Sequence, residues 1–361
     1  MSERRWYVRK LINDDFERVS RLRKLFSEPN GSSKRRSCEP EYYRWKLQDN
    51  PVQAGVLHVA DDKEKVVGMV SITPKQLCIN GRLRIGVEIG DTFTDYNYQH
   101  QGIFTTLVNS IRESALQQGM DFIYGTPNEN SLPGYERKCN FVTIPSVNMC
   151  NLVRPLDMEA ILRAKINSAL LAKILGPWLH LGFKMLYRVK SPQLGKQDVK
   201  FSLVSSFPED VNTLWEKVSG NYDWIVERTK KYLDWRFVQN PDTYSIMLAS
   251  NNRETIGYMV TKIGYWRNLR VGYLADFLVD EKTPEIFTEL VLRSLMYFQQ
   301  ADVDMVAGWS VKGGIYCNVL RRCGFKRHKE VPVICYKTDL CNKIINQPGK
   351  WHFTMADSDN I

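Results

Sequence analysis

The sequence predicts an α/β (α+β) fold made of two copies of one domain, each a mixed, mostly antiparallel sheet with helices on both faces. Three observations carry that expectation. The 361 residues suit two domains of roughly 150 residues each. Apolar residues make up 43% and charged residues 25%, which excludes collagen-like and wholly disordered chains. And five segments recur in one order: Tyr42-Tyr-Arg-Trp45-Lys-Leu-Gln-Asp-Asn50-Pro51 returns as Tyr232-Leu-Asp-Trp235-Arg-Phe-Val-Gln-Asn240-Pro241, Val67-Gly68-Met69-Val70 as Ile256-Gly257-Tyr258-Met259, and Phe104-Thr-Thr-Leu-Val108 as Phe287-Thr-Glu-Leu-Val291. Farther on, Gln117 to Gly125 returns as Gln299 to Gly308, and Arg137-Lys-Cys-Asn-Phe141 as Arg321-Arg-Cys-Gly-Phe325. The expected boundaries are 1–153 and 192–345 for the copies, 154–191 for a linker and 346–361 for a tail.

Within a copy, a charged, helical opening leads to a Trp-containing helix that Asn-Pro closes, because proline bars continuation. Strands follow at 55–60, 66–74 and 83–94, with turns at Asp61-Asp62 and Asn80-Gly81. The spacing predicts a helix over 102–118 with Ile103, Leu107, Ile111 and Leu116 on one face. A run at 122–125 then pairs in parallel with the preceding strand. A short helix at 133–138 and a closing strand complete the unit. Trp45 and Trp235 read as core and helix-stop residues.

Lys plus Arg exceed Asp plus Glu by 50 − 40 = 10, which calls for an anionic partner: a phosphorylated cofactor, nucleic acid or an acidic lipid surface. The charged N-terminus has no signal-type apolar region, and no run of about 18 apolar residues exists to span a bilayer. The eight cysteines have no zinc spacing and read as reduced, mostly core residues of a cytoplasmic protein without a metal.

The informative stretch is Ile89-Gly-Asp-Thr-Phe-Thr-Asp-Tyr-Asn-Tyr-Gln-His-Gln-Gly-Ile-Phe-Thr-Thr-Leu107. A strand ends, a polar loop with glycine follows and a helix starts, which aims free backbone N–H groups and the positive helix end at whatever lies above. Within it, Gln99-His-Gln-Gly102-Ile-Phe resembles the Gln/Arg-x-x-Gly-x-Gly/Ala pyrophosphate loop of the GNAT superfamily of N-acetyltransferases. Downstream, Thr126-Pro-Asn-Glu-Asn-Ser-Leu-Pro-Gly-Tyr-Glu-Arg-Lys-Cys-Asn-Phe141 is similar to that family's Asn…Tyr-x-Arg/Lys-x-x-Gly-Phe closing motif. Phe104 stands where Gly or Ala is usual. Asn140 stands where Gly is usual, and asparagine tolerates the left-handed backbone that such a position needs.

The resemblance implies two tandem GNAT domains and direct acyl transfer from coenzyme A to an amine. Gln99, His100, Gln101, Gly102, Ile103 and Phe104 would hold the pyrophosphate of acetyl-CoA. The backbone amides of Phe93 and Thr94 would pair with the pantetheine arm. A neutral amine needs a general base, Glu88 or Asp91, since alternation puts only one of them on a given face. Tyr135 would protonate the leaving thiolate. Asn128 and Asn130 would hold the cofactor or the amine, or form a turn after Pro127. Copy two has Asp280-Glu-Lys-Thr-Pro284-Glu-Ile-Phe287 instead, with no glycine, one amide fewer and carboxylates at 280, 281 and 285, so it should not bind acetyl-CoA.

Residues 154–190 carry seven Lys/Arg against two acids and apolar residues at helical spacing, broken near Gly176-Pro177. Such a helix could lie on an acidic membrane surface or pack as a connector. Lys34-Arg35-Arg36 reads as a solvated loop. The tail from Trp351 alternates like an edge strand and then offers Asp357 and Asp359, either to a cationic amine or as a frayed end. The reading is an acyl-CoA-dependent N-acetyltransferase acting on a small amine such as an amino sugar. The alternatives are an aminoacyl transferase similar to the Fem peptidoglycan enzymes, using aminoacyl-tRNA, or a non-catalytic membrane-associated scaffold.

Overall fold

The computed structural model describes residues 5–26, 38–120, 122–166, 169–186, 199–252, 254–280, 282–345 and 349–358. In chain order it begins β1 (Tyr7–Lys10), α1 (Phe16–Lys24), α2 (Pro40–Leu47), β2 (Val56–Asp61), β3 (Val66–Ile79), β4 (Arg82–Thr94), α3 (Ile103–Gln117), β5 (Ile123–Gly125), α4 (Leu132–Lys138), β6 (Phe141–Thr143) and β7 (Met149–Pro155). Two linker helices follow, α5 (Met158–Lys165) and α6 (Ala169–Leu186). The rest runs β8 (Val199–Val204), α7 (Val211–Ser219), β9 (Trp224–Val226), α8 (Lys230–Leu233), β10 (Ser245–Asn251), β11 (Glu254–Trp266), β12 (Leu269–Val279), α9 (Pro284–Gln300), β13 (Met305–Val311), α10 (Ile315–Arg322), β14 (Lys326–Val331), β15 (Ile334–Tyr336) and α11 (Asp339–Ile345). Lys34, Arg35, Arg36, Glu281 and Asp359 lie outside the described residues.

These strands form two mixed, mostly antiparallel sheets. The first has the order β1-β2-β3-β4-β5-β15-β6 and the second β14-β7-β13-β12-β11-β10-β8. Each contains one parallel pair, β4 with β5 and β12 with β13, entered from α3 and α9 respectively. The sheets exchange strands: β7 sits in the second sheet between β14 and β13, and β15 sits in the first between β5 and β6. Strand β9 also pairs with the far end of β3. Neither sheet is therefore a closed stretch of chain.

Local chemistry explains the elements. Asn80 and Gly81 adopt φ of 49° and 73°, the positive values that a two-residue β3–β4 hairpin requires. Helix α3 buries Ile103, Leu107, Val108, Ile111 and Ala115. Leu116 departs from the expected face and is 38% exposed, because at 100° per residue it falls about 220° from Ile103. The opening is not wholly helical: Tyr7–Lys10 is a strand paired with β2, and Arg9 and Arg18 bind Asp61 across that edge at 2.5 and 2.8 Å.

Trp45 and Trp235 do more than end helices. Their rings stack with centroids 4.9 Å apart, and each indole N–H donates to the other's backbone carbonyl, at 2.9 and 3.3 Å. This reciprocal pair joins the two copies about a local twofold.

Two expectations are corrected. Cys335 and Cys341 are disulfide-bonded, because β15 and the start of α11 bring their Cα atoms to 6.4 Å; the other six cysteines are buried thiols. The tail does not fray. Residues 351–358 are buried between the copies, with Trp351 and Phe353 stacked on Trp224 and His352 accepting a place against β9 through its amide, which donates to the Trp224 carbonyl. Arg228 grips both oxygens of Asp357 at 2.8 Å and reaches Asp276 at 3.0 Å. Burial opposes ionisation of Asp357, but the Arg228 charge outweighs it and holds the carboxyl below its ordinary range.

Candidate active site

Strands β4 and β5 are paired only at Val87 with Ile123 and Glu88 with Tyr124. Beyond Glu88 they splay, and a cavity of about 150 Å³ opens between Ile89–Phe93 and Gly125–Asn128. The splay has a local cause: a bulge shifts the β3–β4 register between Met69 and Ser71, and Asp91 takes the left-handed region at φ 47°. The bulge turns the Asp91 carboxylate onto the cavity wall.

Glu88, Asp91, Tyr135 and Asn128 all line this cavity. Asp91 Oδ2 accepts from Lys46 Nζ at 2.6 Å and Ser71 Oγ at 3.2 Å. Lys46 is fully buried and also donates to Ser71 Oγ. Glu88 lies deeper, its Oε2 held 2.6 Å from buried Lys75 Nζ, which in turn donates to the Asp357 carbonyl of the tail. Tyr135 on α4 meets Thr92 Oγ1 at 2.6 Å. Burial raises its phenol pKa above 10, so the hydroxyl keeps its proton at neutral pH.

The other expected residues divide. Asn128 spends its side-chain oxygen on the amides of Asn130 and Ser131, each at 3.0 Å, so it forms the turn that starts α4. Asn130 is exposed and not among the cavity-lining residues. Asp95 donates its amide to Val67, and ladder amides alternate; Phe93 therefore also faces β3, whereas Thr94 turns its amide to the open side. Gln99, His100, Gln101 and Gly102 are exposed ahead of α3, with Gly102 as N-cap at φ 83°. Ile103 buries its side chain against Gly68 and offers only its amide. Phe104 packs edge-on to Tyr135, centroids 5.1 Å apart, and fills the space that Gly134 leaves on α4. Asn140 has φ 60°, as the closing motif requires.

Residues 19–141 match the Acetyltransferase (GNAT) family. This segment belongs to the GNAT acetyltransferase superfamily. The chain has a tandem fold: the structure is similar to N-myristoyltransferase of Saccharomyces cerevisiae with bound myristoyl-CoA, at TM-score 0.63 and 13% identity over 92% of this chain and 78% of that one. It is likewise similar to a GCN5-related N-acetyltransferase from Anabaena variabilis (TM-score 0.59, 12% identity, 91% and 72% covered). A protein of unknown function from Enterococcus faecalis, described as a probable N-acyltransferase, matches at TM-score 0.60 and 12% identity, again over 91% and 72%. No curated protein matches the sequence.

The two copies have corresponding splays, and they differ. In the second copy the Tyr316 hydroxyl lies 3.1 Å from both the amide and the carbonyl of Val279, which is the counterpart of Thr94 in the β11–β12 register. Phe277, Phe287 and His352 close around that ring. Ahead of α9, the Asp280 side chain accepts the Lys282 amide at 3.0 Å and meets Lys217 Nζ at 2.9 Å. Protein groups thus occupy the positions that are open in the first domain.

Sequence reasoning missed several residues of the first GNAT site. Arg23 and Ser358 line the cavity, and Thr126 Oγ1 meets Ser358 Oγ at 2.5 Å. Arg23 lies over the Phe93 ring, 4.5 Å from its centroid, with a buried Nε that has no hydrogen-bond partner among the described residues. Burial opposes the Arg23 charge, but nearby Asp91 outweighs it and raises its pKa. No signal in the sequence joined residues 23, 46 and 358 to a loop at 88–104, because only the fold brings them there.

Proposed function

We propose that the chain transfers a short acyl group, acetyl by default, from coenzyme A to the primary amine of a small polar molecule such as an amino sugar. The observation that carries this reading is the convergence of Asp91 and Tyr135 on one cavity of the strand–loop–helix unit that also bears the open Thr94 amide and the Gly102 helix terminus. Acetyl-CoA fits that arrangement: the amides before α3 face phosphate, and the splayed edge of β4 can pair with the pantetheine arm. At about 150 Å³ the cavity is below the roughly 300–1,000 Å³ of pockets for drug-sized ligands, which favours a short acyl group over a long chain.

The amine attacks the thioester carbonyl; a C–N bond forms and the C–S bond breaks. Asp91 takes the amine proton, directly or through water, and Tyr135 gives its proton to the departing sulfur. Asp91 is preferred over Glu88 because Glu88 is more deeply buried and tied to Lys75 and the tail. Arg23, Thr126, Ser131 and Ser358 give the acceptor end a polar, hydroxyl-bearing wall. The open Gly102 loop disfavours an aminoacyl-tRNA donor, which has no pyrophosphate to cradle.

The test is amine-dependent release of coenzyme A thiol from acetyl-CoA, screened over amino sugars, polyamines and amino acids. Turnover with one class, lost in Tyr135→Phe, supports the reading. Acetyl-CoA binding without turnover on any amine would count against it.

A further inference from the structure

Helix α6 carries an exposed apolar face. It rests on α5 through Gly176, where a Cβ would stand 2.8 Å from the Glu159 backbone, with His180 half-buried one turn on. At 100° per residue the opposite side is an arc of about 160°. That arc holds Leu171, Ile174, Leu175, Trp178, Leu179, Leu181 and Met185, all exposed, Trp178 by 73% and Met185 by 70%. Single exposed apolar residues are ordinary, but seven on one helix make a contiguous contact face.

Charge identifies what covers it. Helix α6 contains no acidic residue, Lys173 is exposed on its flank, and residues 154–190 carry seven Lys/Arg against two acids in a chain of net charge +10. A broad apolar arc with an exposed tryptophan and basic flanks is the pattern of a helix lying in a membrane interface, whereas docking in a protein groove uses a narrower stripe. No described helix is long and apolar enough to cross a membrane. We propose that α6 lies flat on an anionic lipid surface, with its apolar arc at the headgroup–acyl boundary and its cations among the phosphates.

The test is co-sedimentation of the full chain with vesicles of phosphatidylcholine alone or mixed with phosphatidylglycerol. Binding to the mixed vesicles is expected, weakened by salt and much weaker on phosphatidylcholine alone. The double variant Trp178→Asp/Leu181→Asp alters exposed positions and should keep the wild-type Tm while its partition falls about tenfold or more. Failure of the wild type to bind mixed vesicles, or undiminished binding by the variant, would overturn the proposal. So would light scattering that finds a dimer which the variant turns into a monomer, because a second copy would then cover the face.

Discussion

Asp91 and Glu88 each accept a hydrogen bond from a buried lysine, Lys46 and Lys75, at 2.6 Å. That symmetry makes a sharp comparison possible. Asp91→Asn and Glu88→Gln each strand a buried ammonium, so each should cost about 3–5 kcal/mol of stability. Only Asp91→Asn should also abolish turnover of the protein that remains folded, read as kcat per folded molecule. Equal loss of turnover in both would place the base elsewhere. Tyr135→Phe removes the proposed proton donor but keeps the ring contacts with Phe104 and Phe141; kcat should fall about 10²-fold or more while acetyl-CoA affinity stays within about twofold. At this scale the sequence was informative where residues are close along the chain. Glu88, Asp91, Tyr135 and the Gly102 loop lie within one strand–loop–helix–strand–helix unit, and the structure gathers the first three at one cavity. Asn128 was ambiguous because the same side chain suits a ligand or a turn, and the amides of Asn130 and Ser131 settle it as a turn.

Among the elements, strand spans, hairpin turns and the parallel β4–β5 pair follow from alternation, Asn-Gly chemistry and helix periodicity, which are local. The exchange of β7 and β15 was not legible, since each is a short apolar run that either sheet could accept. The strand at Tyr7–Lys10 was hidden by its charge, which Asp15 and Asp61 neutralise in three dimensions. The repeat did mark the Trp45 and Trp235 helices, although their mutual stacking required the fold. Trp235→Ala would empty a core site and remove the indole N–H that donates to the Trp45 carbonyl, so we expect a loss of about 3–5 kcal/mol, measured by urea denaturation. A loss under about 1 kcal/mol would mean that the pair does not hold the copies together.

Over the whole molecule, the tail couples the two copies to the site, and it makes folding sensitive to acid. Burial and Arg228 push the His352 pKa down to about 3, and burial pushes His58 down to about 4, against an ordinary 6.5. In the unfolded chain both imidazoles take up a proton near pH 6.5, whereas in the folded chain they do not. Stability should therefore fall as pH drops below about 6.5. Asp61 acts lower down: Arg18 and Arg9 hold it at about 2 against 3.8, so its contribution is present above pH 3.8 and is lost as pH falls toward 2. A Tm that is flat from pH 7 to 5 would contradict the buried, neutral histidines. His352→Gln should flatten the upper part of the curve.

We propose one acyl-CoA site per chain, built by the first copy and closed in the second by its own side chains. Isothermal titration of the full chain with acetyl-CoA tests it most directly, with Gly102→Asp alongside. That variant puts a carboxylate at the proposed pyrophosphate loop and strains a backbone held at φ 83°. One molecule bound per chain, with affinity lost in Gly102→Asp, is the expected result. Two molecules per chain, no saturable binding, or undiminished affinity in the variant would contradict it.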